Sequence, residues 1–195
     1  MRMTRPSIIF AVLAIWSVPA LGQPNAAVES AYTTFDSDKC RHTRGRNVED
    51  YGSWLCRGYR DIPVWLAAGD QRMYVSFGRG AAREPAAGET IPGFNDVYKG
   101  TIEWRLERSR DGKLKPFATI LRWNFMTSPD DRQTSGRKLV ITKLGPGGVC
   151  HVGYVDARAS PDANELARKL ADEKARTFKC GVDKPQSVGN RPPDQ

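Results

Sequence analysis

The chain has 195 residues and a formal net charge of +8 at pH 7, from 30 lysines and arginines against 22 acidic residues. A chain of this length buries enough apolar surface to fold as one domain without help from a metal or from oligomerisation. The basic balance favours an anionic partner, yet basic and acidic residues are interspersed, which is typical of a surface of mixed charge.

The first 22 residues have the three parts of a secretory signal peptide. Arg2 and Arg5 precede the apolar stretch Ser7–Pro19, and small residues stand at Ala20 and Gly22, where a signal peptidase reads the chain. The apolar stretch is about 13 residues long and a spanning helix needs ~20, so a retained membrane anchor is the weaker alternative. We therefore expect cleavage after Gly22 and a periplasmic or secreted mature chain with no transmembrane segment. Nucleic acid is a disfavoured partner in that compartment.

Four cysteines lie in the expected mature chain: Cys40, Cys56, Cys150 and Cys180. An even number of cysteines in an exported protein indicates disulfides, and four cysteines allow three connectivities. We favour Cys40–Cys56 and Cys150–Cys180, because each pair closes a local loop between neighbouring elements. A zinc site is the alternative, and it is disfavoured because there is no C-x-x-C pair and the two histidines lack ligand spacing. The sequence predicts no metal and no cofactor.

Most of the mature chain has the pattern of short strands separated by turns. Apolar and polar residues alternate most clearly in Gln71–Phe77, Thr101–Glu107 and Lys115–Phe125. Because Asp-Gly and Gly-Asp pairs stand between such segments, most neighbouring strands are expected to form antiparallel hairpins. Further strands are predicted at Tyr32–Phe35, Gly52–Tyr59, Ile62–Ala67, Arg137–Leu144 and Gly148–Ala157.

Two details of these strands predict where they lie in the sheet. Pro63, near the start of its strand, indicates an edge position, since proline cannot donate to a ladder. Phe117 is expected on the same face as Leu121 and Trp123, because residues two apart share a face.

One helix is predicted near the C-terminus. Ser160 is a candidate N-cap, Pro161 suits the first helical position, and Gly181 is placed to end the helix. Its apolar stripe is Ala163, Leu166, Ala167, Leu170, Lys174 and Phe178.

These elements predict the α+β class for a single domain at residues 23–181. We expect a twisted antiparallel sheet of about six to eight strands, with the C-terminal helix packed on one face. A sandwich-like or barrel-like closure is the alternative. Residues 182–195 contain three prolines and few apolar residues, so this tail is expected to be disordered.

Two long segments are candidate binding loops: the charged segment Arg41–Tyr51 and the glycine-rich segment Gly78–Lys99. Loops of this length in compact domains often bind partners. Aromatic and basic residues between these segments form a candidate surface for sugars or anionic groups, although such aromatics more often pack in a core. The candidate binding residues are Arg57, Tyr59, Arg60, Trp65, Arg72 and Tyr74.

No catalytic residues are predicted. His42 is expected to be a solvated loop residue, and His151 a half-buried or surface strand residue facing away from Cys150. A glycosidase needs two carboxylates in reach of each other. Glu103 with Glu107, or Asp130 with Asp131, are the candidates, and each also fits ordinary surface charge.

The segments Gly58–Asp70, Gly100–Arg105 and Gly153–Asn164 are similar to an uncharacterised family of small exported proteins of Gram-negative bacteria. This resemblance implies an exported protein of the same layout, with no established activity. Tyr51–Trp54 is a partial match, in the wrong order, to the short Ser-Gly-x-x-Tyr loop of periplasmic lysozyme inhibitors. We therefore expect a non-enzymatic periplasmic domain that binds an anionic envelope ligand or a protein partner through its long loops. The alternatives are a hydrolase of envelope glycans and a lysozyme-inhibitor-like protein.

Overall fold

The structure is a computed structural model that describes residues 27–44, 51–126 and 135–189. The predicted signal peptide at residues 1–22 lies outside the described residues. The strands are β1 (Glu29–Asp36), β2 (Arg41–Arg44), β3 (Gly52–Arg57), β4 (Pro63–Gly69), β5 (Arg72–Phe77), β6 (Phe94–Asp96), β7 (Lys99–Arg108), β8 (Leu114–Met126), β9 (Gly136–Lys143), β10 (Cys150–Asp156) and β11 (Gln186–Val188). The α-helix is α1 (Ala163–Lys174), and short 3-10 helices lie at Ser37–Lys39, Tyr59–Asp61, Ala81–Arg83 and Pro85–Gly88.

The strands form two sheets. The large sheet has the order β1-β7-β8-β9-β10-β11, with β6 paired to the end of β8, and the small sheet has the order β2-β3-β4-β5. Neighbouring strands are antiparallel, except that β10 and β11 are parallel. The predicted α+β class with one C-terminal helix is confirmed. The single expected sheet is instead divided in two, which is closer to the sandwich-like alternative.

The main core lies between the two sheets. Val64, Leu66 and Val75 of the small sheet pack in one apolar cluster with large side chains of the large sheet, chiefly Trp104 and Trp123. Burial of such a cluster is the dominant favourable contribution to folding. Trp104, Trp123, Leu66 and Val64 are among the largest fully buried side chains.

Trp104 is the centre of that core and is completely buried. Its indole N–H donates to Thr33 Oγ1 at 2.8 Å, so its one polar atom is satisfied. Phe77 meets the ring edge-on, with centroids 5.6 Å apart. Gly58 passes so near that a Cβ there would lie 2.4 Å from Cζ2 of the indole. A glycine is therefore required where the chain leaves β3.

The edge position that we expected for the strand containing Pro63 is wrong. β4 pairs with β3 on one side and with β5 on the other. Proline is tolerated because it is the first residue of β4, a position at which strands accept it. The β4–β5 hairpin is confirmed, and its turn residues Asp70 and Gln71 have φ of 52° and 57°. Two successive positive φ values are typical of a type I′ turn.

Phe117 lies on the opposite face from the one expected. The ladder between β7 and β8 shifts at this point, because Arg105 pairs with Ala118 and Leu106 pairs with Pro116. Phe117 is the extra residue of this bulge, and a bulge reverses the alternation of faces. Its ring packs in the apolar cluster beside the helix, with the Arg176 guanidinium 3.7 Å from the ring centroid.

Helix α1 covers the outer face of the large sheet. Ala163, Ala167, Leu170 and Ala171 are buried against it, so most of the predicted stripe is correct. Lys174 of the predicted stripe is exposed instead.

The ends of α1 differ from the predicted ones. The helix has Asp162 as N-cap instead of Ser160, and it ends at Lys174, before Gly181. Ser160 is buried, and its hydroxyl lies where Gly189 passes close by. The Ser160 hydroxyl therefore packs against Gly189 and does not cap the helix.

Strand β11 lies in the segment that was expected to be disordered. Gln186–Val188 pairs in parallel with β10, while the remainder from residue 190 lies outside the described residues. Parallel pairing follows from the connection through α1, because a strand–helix–strand unit brings its second strand back in the same direction. Gly153 permits the close approach, since a Cβ there would lie 2.5 Å from the Gln186 oxygen and 2.7 Å from Leu170.

Both predicted disulfides are confirmed. Cys40 pairs with Cys56, and Cys150 pairs with Cys180, at sequence separations of 16 and 30. The first joins the segment before β2 to β3. The second joins the start of β10 to the segment after α1.

Candidate functional site

The six candidate binding residues do not form one site. Arg57, Trp65 and Tyr74 lie on strands of the small sheet, in the register positions that face away from the core. Tyr59 packs against the core beside Trp104, and Arg60 lies over the Tyr59 ring at 5.2 Å. The sixth, Arg72, contributes to a different surface, a cleft between the sheets.

This cleft has a volume of about 1490 Å³ and lies where the ends of both sheets meet. Both predicted loop segments, Arg41–Tyr51 and Gly78–Lys99, contribute residues to its lining. The sequence did not indicate which other residues line the cleft with them. The lining residues of the small sheet and its turns are His42, Tyr51, Gly52, Trp54, Ala68, Gly69, Gln71, Arg72 and Met73. Those of the large sheet and its flanks are Phe94, Asn95, Asp96, Tyr98, Arg122, Asn124, Phe125, Met126, Ser135, Gly136, Arg137, Ala157 and Arg158.

Exposed apolar side chains concentrate at this cleft. Five large hydrophobic residues of the described chain are exposed, and Tyr51 (46%), Tyr98 (44%) and Met126 (37%) among them line the cleft. His42 lies on strand β2, stacked on Trp54 with centroids 4.9 Å apart and planes 15° apart. It is exposed as expected, but it is part of an aromatic stack. Apolar surface grouped in a concave site is typical of a binding surface.

Among the described residues, the walls of the cleft carry an excess of positive charge. Arg72, Arg122, Arg137 and Arg158 line it, whereas among the described residues Asp96 is the single carboxylate on its walls. An excess of one sign in a concave site concentrates ligands of the opposite sign. The described walls of the cleft would therefore attract anions.

Two of these arginines are hydrogen-bonded to other residues of the protein. Arg122 Nη2 donates to Asn164 Oδ1 at 3.0 Å, and Arg158 Nη1 donates to the Ser135 carbonyl at 3.0 Å. Arg72 and Arg137 differ, because no residue of the described chain accepts a hydrogen bond from either side chain or forms an ion pair with it. The Nε of Arg72 is also buried without a partner there. These two guanidinium groups are available to a ligand.

The segment Gly78–Lys99 holds the wall formed by β5 in place, chiefly through Asn95. The sequence analysis did not predict a role for Asn95. Its side-chain oxygen accepts from Met73 N at 2.9 Å, and its amide donates to the Ile91 carbonyl at 3.1 Å. Thr90 Oγ1 donates to the Met73 carbonyl at 2.8 Å. This edge of β5 is therefore already hydrogen-bonded. A buried asparagine has no local sequence signal that separates it from a turn residue.

Compared with protein-family models, curated proteins and solved structures, the chain matches none. Among the described residues, no helix is both long and apolar enough to cross a membrane. No group of three or more potential metal ligands occurs in that part of the chain. The two disulfides are of the kind formed in oxidising compartments.

Glu103, a candidate acid of the hydrolase alternative, is part of an ion-pair network beneath α1. Its Oε1 accepts from Arg168 Nε at 2.7 Å and from Ser30 Oγ at 2.6 Å, and lies 3.3 Å from Arg105 Nη1. Burial raises its pKa, but the bonds from Arg168 and Ser30 outweigh burial and leave the pKa below its usual value. A general acid needs the opposite shift.

The other carboxylates of the hydrolase alternative give it no support either. Glu107 is paired with Arg176 at 2.6 Å. Asp130 and Asp131 lie outside the described residues. The geometry of the described chain therefore favours a structural role for the carboxylates of β7.

His151 is completely enclosed, which corrects the half-buried or surface position that we expected. Its ring meets Trp123 edge-on, and Nδ1 lies 3.1 Å from the hydroxyl of Tyr154 and 3.9 Å from Glu89 Oε2. Glu89 also accepts from the His151 backbone N at 2.5 Å. Burial lowers the pKa of His151 to about 4, raises the pKa of Glu89, and raises the pKa of Tyr154 to about 12.

This burial predicts that stability falls in mild acid. Because the pKa of His151 is about 4 when folded and 6.5 in the reference state, only the unfolded chain binds this proton between those values. The contribution of His151 to the free energy of unfolding should therefore be about 2 kcal/mol lower at pH 5 than at pH 8. Glu89 acts in the opposite sense, since its pKa is raised on folding. Urea unfolding at a series of pH values measures the net slope.

The variant His151→Gln isolates the contribution of the imidazole. Glutamine keeps a polar side chain at the site but has no proton to gain. The difference in the free energy of unfolding between pH 5 and pH 8 should therefore be about 2 kcal/mol smaller in this variant. A slope equal to that of the unchanged protein would show that the acid sensitivity arises elsewhere.

Proposed function

We propose that the chain is an exported binding domain of the periplasm or the extracellular space, which holds an anionic ligand in the cleft between its sheets. The observation that carries the proposal is that exposed aromatic side chains and two arginines without a partner among the described residues, Arg72 and Arg137, line the same concave surface. The signal-like residues 1–22 and the two disulfides support export. The resemblance of segments of this chain to small exported proteins implies the same compartment.

A binding role is favoured over hydrolysis by the state of the carboxylates. A glycosidase site requires two carboxyl groups across the scissile bond, one with a raised pKa. Asp96 stands alone on the described cleft walls, and its Oδ1 accepts from Asn124 Nδ2 at 3.0 Å. Glu103 lies on the other face of the large sheet, engaged with Arg168 and Arg105.

The proposal predicts that removing the side chains of Arg72 and Arg137 strongly reduces ligand capture. The mature chain, residues 23–195, would be immobilised and exposed to bacterial envelope extract, and retained material would be assayed for phosphate and for uronic acid. Arg72→Ala/Arg137→Ala should retain at least tenfold less anionic material, because each charged hydrogen bond contributes about 1.5–3 kcal/mol.

A matched control removes the same charge elsewhere. Arg57 and Arg110 are exposed and do not line the cleft, so Arg57→Ala/Arg110→Ala has the same net charge as the cleft variant. This control should retain as much material as the unchanged chain. Equal losses in both variants would show that net charge, and not the cleft, is responsible. Absence of anionic material on the unchanged chain, or its chemical conversion, would refute the binding role.

A further inference from the structure

We infer that the ligand of the cleft is an acidic oligosaccharide, whose sugar rings pack on the cleft aromatics and whose carboxylate or phosphate groups pair with Arg72 and Arg137. This inference rests on the proposed function and narrows it to one class of ligand. It depends on four properties of the cleft: its size, the placement of its rings, the closed edge of β5 and its polar groups.

The size of the cleft excludes a lone inorganic anion as its full occupant. Pockets for drug-sized molecules measure about 300–1,000 Å³, whereas this cleft measures about 1490 Å³. An ion held by Arg72 would leave most of the aromatic surface in contact with water. A chain of several sugar units fills the volume and covers that surface.

Two glycines of the small sheet lie directly against aromatic rings of the cleft. A Cβ at Gly52 would be 2.8 Å from His42 Nε2 and 3.3 Å from Trp54 Cη2. A Cβ at Gly69 would be 2.9 Å from Cδ2 of Tyr51. Because these positions have no side chain, the rings can approach the backbone of the small sheet closely. Flat aromatic surfaces in a wet cleft are suited to the apolar C–H faces of pyranose rings, which present hydroxyls at their edges.

An extended peptide is a poorer fit to the same walls. Peptides that bind along sheets add a strand to a free edge, using backbone hydrogen bonds. On the cleft side of β5, Met73 N and O are already bonded to Asn95 and Thr90. A peptide cannot pair there without displacing both side chains, whereas a sugar ring needs no backbone partner.

The polar groups of the cleft can bind the hydroxyls of a ligand as well as its anionic groups. Asp96 and Asn124 lie on one wall, joined by a 3.0 Å hydrogen bond, and Gln71 lies on another. A carboxylate accepts from hydroxyls but repels phosphate and carboxylate groups. Its position among the arginines therefore favours a ligand with both hydroxyl and anionic groups over a polymer of uniform negative charge.

Matched pairs of oligosaccharides test this inference, with titration calorimetry on the mature chain as the readout. The first pair is a galacturonate pentamer and its methyl ester, and the second is a phosphorylated pentamannose and the same sugar without phosphate. At least one acidic member should bind at least tenfold more tightly than its neutral partner, since charged hydrogen bonds are the stronger ones. The pair that shows the difference identifies carboxylate or phosphate as the anionic group.

Two variants separate the sugar contacts from the charge contacts. Tyr51→Ala/Tyr98→Ala removes exposed cleft rings and should weaken the acidic sugar at least tenfold, whereas Tyr32→Ala removes an exposed tyrosine outside the cleft and should change little. Arg72→Ala/Arg137→Ala should bring the acidic sugar to the affinity of its neutral partner. Near-ultraviolet circular dichroism of each variant checks that the fold is retained.

Three outcomes would overturn the inference. Binding of pentaphosphate or of a glutamate pentapeptide without binding of either acidic sugar would refute the sugar ligand but leave the proposed anion site standing. Equal binding of acidic and neutral sugars would refute the acidic preference and the anion site together. No binding of any probe would refute both.

Discussion

Replacement of Arg105 by alanine should lower the free energy of unfolding by about 3 kcal/mol, the lower end of what loss of one partner in a buried ion pair costs. The side chain of Arg105 is 8% exposed and donates to both carboxylate oxygens of Asp172, at 2.9 and 2.6 Å. It also bonds Glu103 at 3.3 Å and contacts Ser30 Oγ. The variant would leave Asp172 without these bonds and a cavity between α1 and β7. Glu103 would keep Arg168, which is why the lower end is expected.

Arg108 supplies a matched control on the same strand. Its Nη2 donates to Glu29 Oε1 at 2.8 Å, but the two side chains are 56% and 44% exposed. Exposed ion pairs contribute about 0–1 kcal/mol, so Arg108→Ala should be nearly neutral. Urea unfolding of both variants at pH 7 measures the difference. Equal losses would mean that the network beneath α1 is no more important than surface charge. A loss confined to Arg105 would support a structural role for Glu103.

The individual strands and hairpins could be predicted from the sequence, because period-two alternation and turn residues determine local structure. Strands β7 and β8, the β4–β5 hairpin and the disulfide pairs were predicted close to their observed positions. The division into two sheets was not, since alternation gives the faces of a strand but not which face meets another layer. Phe117 shows a second limit, because a bulge changes the face of one residue without altering the local pattern.

The candidate site was harder to predict than the fold. His42, Tyr98, Met126 and Arg137 come from four separate segments, and no motif links them in sequence. The binding residues chosen from local clustering, such as Trp65 and Tyr74, alternate onto the outer face of the small sheet. The two long loop segments were predicted to flank a binding surface, and each contributes a residue, Tyr51 or Tyr98, to the lining of the cleft.

Removal of the Cys150–Cys180 bridge should lower the free energy of unfolding by about 3.6 kcal/mol, and removal of Cys40–Cys56 by about 3 kcal/mol, from the loop-closure entropy of the unfolded chain. The order follows from the sequence separations of 30 and 16 between the bridged cysteines. The paired serine variants, compared by urea unfolding and by thermal melting, measure both values. Each melting temperature should fall by several degrees. Free thiols in the oxidised protein, with no change in melting on reduction, would contradict the assignment.

The longer bridge should also have a local effect that the shorter one lacks. Cys180 lies between α1 and β11, so its bond to β10 limits how far this connection can move. β11 has three residues and, in the described part of the chain, pairs with β10 alone. Gly153 of β10 has no side chain to separate the two strands. In Cys150→Ser/Cys180→Ser the backbone amides of Gln186–Val188 should exchange with solvent faster, whereas in Cys40→Ser/Cys56→Ser they should not. Equal exchange in both variants would show that packing against α1, and not the disulfide, holds β11 in place.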